Sequence, residues 1–113
     1  MRFAPVRRFA LSLPEVTEEP HHHYGSFRVR GKIFVTVPPD QEHIHLFLSE
    51  QQREHALAMH PSFTEKLFGV GKAVGVRVSL AQAEPHAVKP LVRSVWEHKA
   101  PKALQQPNQA PRG

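Results

Sequence analysis

The 113-residue sequence contains no cysteine, which excludes disulfides, thiolate-bound metals and cysteine nucleophiles. It has no apolar run near the ~18 residues that a membrane-spanning helix needs. The basic residues at positions 2, 7 and 8 are not followed by the apolar segment of a signal peptide. We therefore expect a cytoplasmic protein with no membrane association, because a chain free of cysteine suits a reducing compartment.

Groups that carry out catalysis are also scarce. Asp40 is the only aspartate and falls in a predicted turn, while the glutamates of residues 15–19 fall in a predicted loop. No serine stands in a GxSxG context. Residues 69–72 (GVGK) superficially resemble a phosphate-binding loop, but a strand is predicted to follow them where such a loop needs a helix N-terminus. We expect no enzyme activity, no catalytic residue, no cofactor and no small-molecule substrate.

The charge balance is basic. Lysine and arginine number 15 against 10 acidic residues, giving a net charge of +5. A basic protein attracts polyanions by electrostatic steering and counterion release. Many small proteins are mildly basic without binding nucleic acid, so charge alone leaves both interpretations open. No block of five or six like charges is present, and a basic arm is therefore not expected.

Hydrophobic periodicity predicts three helices and five strands in the order α-β-β-β-α-β-β-α. Short turns between successive strands imply an antiparallel sheet, and the predicted fold is a two-layer α+β arrangement with the helices on one face. A two-residue turn is predicted at Arg30-Gly31, because glycine tolerates positive φ. The predicted strands are residues 26–30, 32–37, 43–48, 63–68 and 74–80.

The helices differ in the strength of their signals. The third has the clearest apolar stripe and should bury Trp96 together with Val88, Leu91, Val92 and Val95. Its Pro90 is expected in the first turn or at a kink, because proline removes a helical hydrogen bond.

The second helix is predicted to begin at a capping box formed by Ser49 and Gln52. It should bury Ala56 and Met59 and end before Pro61. The first helix occupies about two turns between Pro5 and Pro14. We expect a single domain over residues 1–102. Residues 103–113 lack apolar side chains to bury and should form a disordered tail.

Five segments are similar to the MmcQ/YjbR family of small bacterial proteins, in order and in spacing. They are residues 13–16 (LPEV), 26–34 (SFRVRGKIF), 48–53 (LSEQQR), 91–96 (LVRSVW) and 100–102 (APK). The resemblance covers about residues 5–102. It implies a CyaY-like α+β fold, also described as a double-wing DNA-binding motif, and the family's label implies DNA as a partner. One departure is Val74-Gly75-Val76, where the family often has an aromatic residue opening the last strand.

Nine histidines are the only candidate metal ligands of note. On strands, His21 and His23 would share one face, as would His43 and His45. Two such pairs could hold zinc or nickel, but a catalytic zinc site usually contains a third histidine or a carboxylate in defined geometry. Solvent-facing polar positions explain the pairs equally simply, and the expectation is no metal site.

Basic side chains on the strands are the best candidate for function. We predict that nucleic-acid phosphates are contacted by Arg28, Arg30, Lys32 and Arg77. Phosphate contacts of this kind position a protein without reading sequence. Tyr24 and Phe47 are the only plausible residues for stacking on bases, so single-strand binding has little support from the sequence.

An alternative from the same residues is a protein-interaction or chaperone-like module with no nucleic-acid role. Lysine and arginine also protect the edges of sheets from unwanted pairing. Related folds serve as secretion chaperones that dimerise, and this chain could likewise be a monomer or a weak homodimer.

Overall fold

The computed structural model describes residues 1–105. Within that range three α-helices pack with one six-stranded antiparallel sheet. The helices are α1 (Phe3–Ser12), α2 (Glu50–Met59) and α3 (Pro85–Lys99), followed by a short 3₁₀ helix, Lys102–Gln105. The strands are β1 (Val16–His21), β2 (Tyr24–Val29), β3 (Lys32–Val37), β4 (His43–Leu46), β5 (Thr64–Phe68) and β6 (Ala73–Ser79).

The predicted α+β fold is confirmed, with one strand more than the sequence indicated. The strand order in the sheet is β1-β2-β3-β4-β6-β5. The added strand, β1, lies at one edge and is mostly exposed. Four of its six residues are Thr, Glu, Glu and Pro, so it lacks the apolar alternation of a half-buried strand, and its Pro20 is tolerated because an edge strand can leave a backbone position unpaired.

The two faces of the sheet differ in character. Phe27, Val35, Leu46 and Val76 are cross-strand partners, and each is at most 1% exposed against the helices. The next row carries polar residues on the opposite face. It reads Glu19, Ser26, Thr36, His45, Arg77 and Glu65 across all six strands. We call this the open face, because the helices cover the other one.

The apolar stripe of α3 provides the main contact between helices and sheet. Its five predicted core residues are all buried. Trp96 is 1% exposed, and its Nε1 donates a hydrogen bond to the Pro14 carbonyl at 3.2 Å. Pro85 occupies the first turn, while Pro90 lies inside the helix.

The second helix begins as predicted but packs through a narrower strip. The Ser49 hydroxyl accepts from the Gln52 N–H at 3.2 Å, and the Gln52 side chain accepts from the Ser49 N–H at 3.0 Å. Ala56 is buried, whereas the prediction for Met59 is wrong, since that side chain is 59% exposed. The alanine is the one buried residue of α2.

Two glycines have specific geometric roles. Gly31 has φ +82°, and Arg30 before it has φ +53°, which confirms the tight turn between β2 and β3. Gly75 lies within β6, where an added Cβ would stand 2.0 Å from the Leu46 carbonyl oxygen. Only glycine therefore allows β4 and β6 to approach this closely.

The part of the chain that the structure describes contains no helix long and apolar enough to cross a membrane. The 3₁₀ helix ends at Gln105, whose side-chain amide donates hydrogen bonds to the Glu97 and Ala100 carbonyls at 2.7 Å. Residues 106–113, the rest of the predicted tail, lie outside the described residues.

Candidate functional site

The four predicted phosphate-binding residues are spread over the sheet. Arg28 and Arg77 lie on the open face, on β2 and β6, with β3 and β4 between them. Because strands are spaced about 4.8 Å apart, these two backbones are separated by about 14 Å. Arg30 and Lys32 lie at the turn between β2 and β3.

Carboxylates neighbour the three arginines. Arg30 makes a bidentate contact with Glu15, which holds the pKa of that carboxyl below its usual value through the hydrogen bonds. Arg28 lies 3.9 Å from Glu19. The guanidinium of Arg28 also donates to the Ser26 hydroxyl at 3.2 Å and to the Pro20 carbonyl at 3.3 Å. Its role is therefore partly structural, tying β1 to β2.

Arg77 and Lys32 are less restrained. The Arg77 guanidinium lies 3.8 Å from the Glu65 carboxylate, and both side chains are exposed. Lys32 is exposed and has no carboxylate within 4 Å among residues 1–105. An incoming phosphate would thus meet a free ammonium at Lys32 and an exchangeable ion pair at Arg77.

A groove crosses the open face between the two edge hairpins. One wall comes from the β1–β2 hairpin and the other from the β5–β6 hairpin. The cavity has a volume of about 440 Å³. We call it the hairpin groove. Its lining consists of His21, His22, Tyr24, Thr36, His45, Phe47, Leu67, Phe68, Gly69 and Val74.

Aromatic rings dominate the hairpin groove. Tyr24 is 38% exposed and Phe68 is 67% exposed, and Phe47 is partly buried between them and the core. The ring of Tyr24 lies 5.9 Å from that of His45, centroid to centroid. Flat, accessible rings of this kind provide surfaces for stacking.

His45 is one of two buried polar residues that line the hairpin groove, and it is 7% exposed; the other is Thr36, which is 5% exposed. Its Nδ1 lies 3.4 Å from the Thr36 hydroxyl, while its Nε2 has no hydrogen-bond partner among the described residues. Burial lowers the pKa of this imidazole below 6.5, and the nearby Arg77 charge lowers it further. His45 is therefore neutral near pH 7 and retains one unsatisfied hydrogen-bonding atom.

A second cavity of about 580 Å³ continues from the hairpin groove, with which it shares His21, Thr36, Phe47 and Val74. It opens where β4 ends after four residues and leaves a gap between β3 and β6. We call it the basic cleft, because cationic residues surround it. They are Arg53, Lys72 and Lys99, with His98 beside them.

The cations of the basic cleft differ in their partners. Arg53 is engaged by Glu54 at 2.9 Å. Lys72 and Lys99 have no carboxylate within 4 Å in the described part of the chain. Partial burial, followed by the charge of Lys99, lowers the pKa of His98. The cleft therefore offers two ammonium groups available to an anion.

The histidine pairs do not assemble a metal site in residues 1–105, where no group of three potential ligands comes together. His21 packs edge-on against His22 at 4.7 Å between ring centroids. His43 lies 3.1 Å from an Asp40 carboxylate oxygen, while His45 is directed to Thr36. Each imidazole thus has a different local partner.

Sequence reasoning missed three contributors to these cavities. Phe68 was assigned only to an irregular strand, and its exposure carried no signal in the pattern. His45 was expected to face solvent, but it is buried beside the Tyr24 ring and the Thr36 hydroxyl. Lys99 lies on the last helical turn, and nothing local connects it with Lys72.

The YjbR family model matches residues 11–98 of the chain, which is most of its length and covers the sheet and every residue that lines the two cavities except Lys99. The chain belongs to the YjbR family. A solved structure has a fold similar to that of this YjbR chain. The crystal structure of Deinococcus radiodurans protein DR2400, described with a DUF419 domain, is similar with a TM-score of 0.70 and 18% identity. The match covers 94% of this chain and 86% of that protein. At that identity the similarity shows the fold alone. No curated protein matches this YjbR chain.

Proposed function

We propose that this YjbR-family protein is a non-catalytic nucleic-acid-binding protein that contacts phosphates across the open face of its sheet. The observation that carries the proposal is the uncovered face itself, which presents Arg28 and Arg77 while the helices pack on the other side. A β-sheet surface can lie along a nucleic-acid backbone or enter a groove. DNA is the proposed partner, and the cytoplasm the proposed location.

The carboxylates beside the arginines do not oppose this function strongly. Exposed ion pairs contribute only ~0–1 kcal/mol, so a phosphate can replace Glu65 beside Arg77 at little cost. Lys32 needs no such exchange. We therefore assign Lys32 and Arg77 the largest direct contributions and Arg28 a mixed structural and binding role. Arg30 contributes least, because Glu15 already holds it in a bidentate contact.

A salt titration with a labelled DNA duplex tests this function. Log affinity should fall with log salt by ~0.9 for each phosphate neutralised. Lys32→Glu and Arg77→Glu should each weaken binding on all sequences alike, because they remove phosphate contacts. The matched control is Lys89→Glu, since Lys89 is an exposed lysine on the solvent side of α3 with no carboxylate within 4 Å among residues 1–105. It changes net charge equally and should have a smaller effect.

Failure to detect binding at about 50 mM salt with tens of micromolar protein would contradict the proposed function. Equal losses in Lys32→Glu, Arg77→Glu and Lys89→Glu would also contradict it, because net charge and not the two positions on the sheet would then account for binding.

A second candidate, interaction with another protein, is favoured by the exposed apolar residues near the β5 edge. Phe68 is 67% exposed and Val70 is fully exposed. An edge strand with exposed apolar side chains is a template for pairing with another chain. In this case the protein is a monomer that forms a weak homodimer, and light scattering at micromolar concentration should detect mass above that of the 12.8-kDa chain.

A further inference from the structure

We propose that the hairpin groove binds unpaired bases of a single-stranded nucleic acid, while the basic cleft holds the adjoining phosphates. The inference rests on the proposed nucleic-acid function and names the ligand class that the open face recognises. It concerns residues other than the four strand cations, so the two proposals can fail separately.

Three aromatic rings are gathered in the hairpin groove, where they provide surfaces for stacking. Tyr24, Phe47 and Phe68 come from three separate parts of the chain and line one cavity. Two of them expose a third or more of their surface. Nucleobases stack on exposed aromatic rings without regard to sequence. The cavity volume of about 440 Å³ also lies within the usual range of ligand sites.

His45 carries an unsatisfied atom in the same groove. Buried polar groups normally have a hydrogen-bond partner, and Nε2 of this residue has none among residues 1–105. The edges of nucleobases carry both donors and acceptors, so a base can satisfy either tautomer of the neutral imidazole. Because the ring is almost fully covered, this contact requires a rotation of the neighbouring side chains, of which Tyr24 is the nearest ring.

Positive charge lies at one end of the two connected cavities, in the basic cleft. The basic cleft adjoins the hairpin groove and contains Lys72 and Lys99, while Glu50 is the one carboxylate in its lining. A single strand alternates bases with phosphates along a flexible backbone, and it can place a base on the rings and a phosphate at the lysines. In a duplex the bases are paired and stacked on each other, so they cannot enter the hairpin groove.

An acidic peptide with apolar side chains is the competing occupant. It could place carboxylates at the lysines, but flat rings beside an unsatisfied imidazole nitrogen favour nucleobases. The experiment below includes this occupant as an outcome.

The test is fluorescence anisotropy with a labelled oligothymidylate of about 12 nucleotides at about 50 mM salt. Tyr24→Ala combined with Phe68→Ala should weaken binding by about tenfold or more, because one or more stacked bases are lost. Tyr24→Phe should retain binding, since it keeps the ring. The matched control is Met59→Ala combined with Val70→Ala, which removes exposed apolar side chains outside the groove lining. This control should leave the affinity unchanged.

Two further arms separate bases from phosphates. An abasic oligonucleotide of the same length should bind much more weakly than oligothymidylate, because it offers no ring to stack. Lys72→Ala combined with Lys99→Ala should weaken binding and reduce its dependence on salt. Circular dichroism of each variant checks that the exposed substitutions leave the fold intact.

Several outcomes would overturn the inference. Stacking in the groove is excluded if Tyr24→Ala combined with Phe68→Ala binds oligothymidylate as tightly as the wild-type protein does. It is also excluded if the wild-type protein binds the abasic strand as tightly as oligothymidylate. If duplex binds through Lys32 and Arg77 while oligothymidylate does not bind, the inference fails and the proposed function stands. If neither nucleic acid binds, both fail. If a labelled acidic peptide binds instead and loses affinity in the ring variants, the groove is a peptide site.

Discussion

His45, a neutral and buried histidine on the open face, should make the free energy of unfolding depend on pH. The pKa of His45 is lowered mainly by burial and then by the charge of Arg77. The unfolded imidazole takes up a proton near pH 6.5, whereas the folded one does so only at lower pH. In that window the unfolded state binds more protons, so folding stability falls as the pH is lowered.

The predicted result is a loss of unfolding free energy between about pH 7.5 and about pH 5.5, a range in which histidines titrate and carboxylates largely do not. His45→Gln should reduce this pH dependence, because glutamine does not titrate. The control is His86→Gln, whose imidazole is 81% exposed. Urea unfolding at the two pH values measures the difference. If the unfolding free energy of His45→Gln depends on pH as strongly as that of the wild type, the role of His45 is contradicted. Some pH dependence should remain in the variant, because the pKa of His98 is lowered as well.

The close approach of two strands at Gly75 gives a second prediction for a single residue. A Cβ at this position would stand 2.0 Å from the Leu46 carbonyl oxygen, so Gly75→Ala must displace β4 or β6. Overpacking of this kind costs about 1–3 kcal/mol or more. Gly25→Ala is the control, since its added Cβ would lie 3.9 Å from Val37. Urea unfolding should show a clear loss for the first variant only. Equal effects would contradict the account.

At the level of elements, α3 joins the helical layer to the sheet. Trp96 is buried, and its indole N–H binds the Pro14 carbonyl in the connection between α1 and β1. Trp96→Ala should therefore lower the unfolding free energy by about 3–5 kcal/mol. Trp96→Phe should cost less, because most of the volume is retained. Unfolding should be monitored by circular dichroism, because Trp96 is the only tryptophan of the sequence and its fluorescence is lost in both variants. A loss below about 1 kcal/mol for Trp96→Ala would show that the site is not packed as described.

The elements differ in how far the sequence could predict them. The Ser49 capping box, the Arg30-Gly31 turn and the α3 stripe are local signals, and all three were predicted correctly. The edge strand β1 was not, because its exposed polar residues carry no alternation. Met59 was expected in the core, but whether a helical residue is buried depends on where the helix docks, which no local pattern states.

The candidate site depends even more on tertiary structure. Tyr24 and Phe47 could be named from the sequence as possible stacking residues. Their meeting with Phe68 in one cavity depends on where the folded sheet places the β1–β2 and β5–β6 hairpins. The gap that forms the basic cleft depends on β4 ending early. Neither feature has a signature in the order of residues.

At the scale of the whole molecule, the distribution of charge matters more than its sum. The net charge of +5 suggested basic strands, yet several strand arginines lie beside glutamates. The unpaired lysines of residues 1–105 lie at the β2–β3 turn, at the basic cleft, on the far side of α3 and at the start of the 3₁₀ helix. A partner that follows phosphates should therefore approach the open face near Arg77 and Lys72, and not the outer surface of the helices. Lys32 lies at the end of the sheet beside this surface, opposite the buried Val29.

The most direct test of this account is a nuclear magnetic resonance titration that follows backbone amide shifts while oligonucleotide is added. The account predicts that shifts concentrate on the open face and its cavities, including Tyr24, Thr36, His45 and Lys72. Residues on the solvent side of α3, such as Lys89 and Arg93, should stay unchanged. Shifts confined to the helices, or none with oligonucleotide in excess, would contradict the claim that the open face binds nucleic acid.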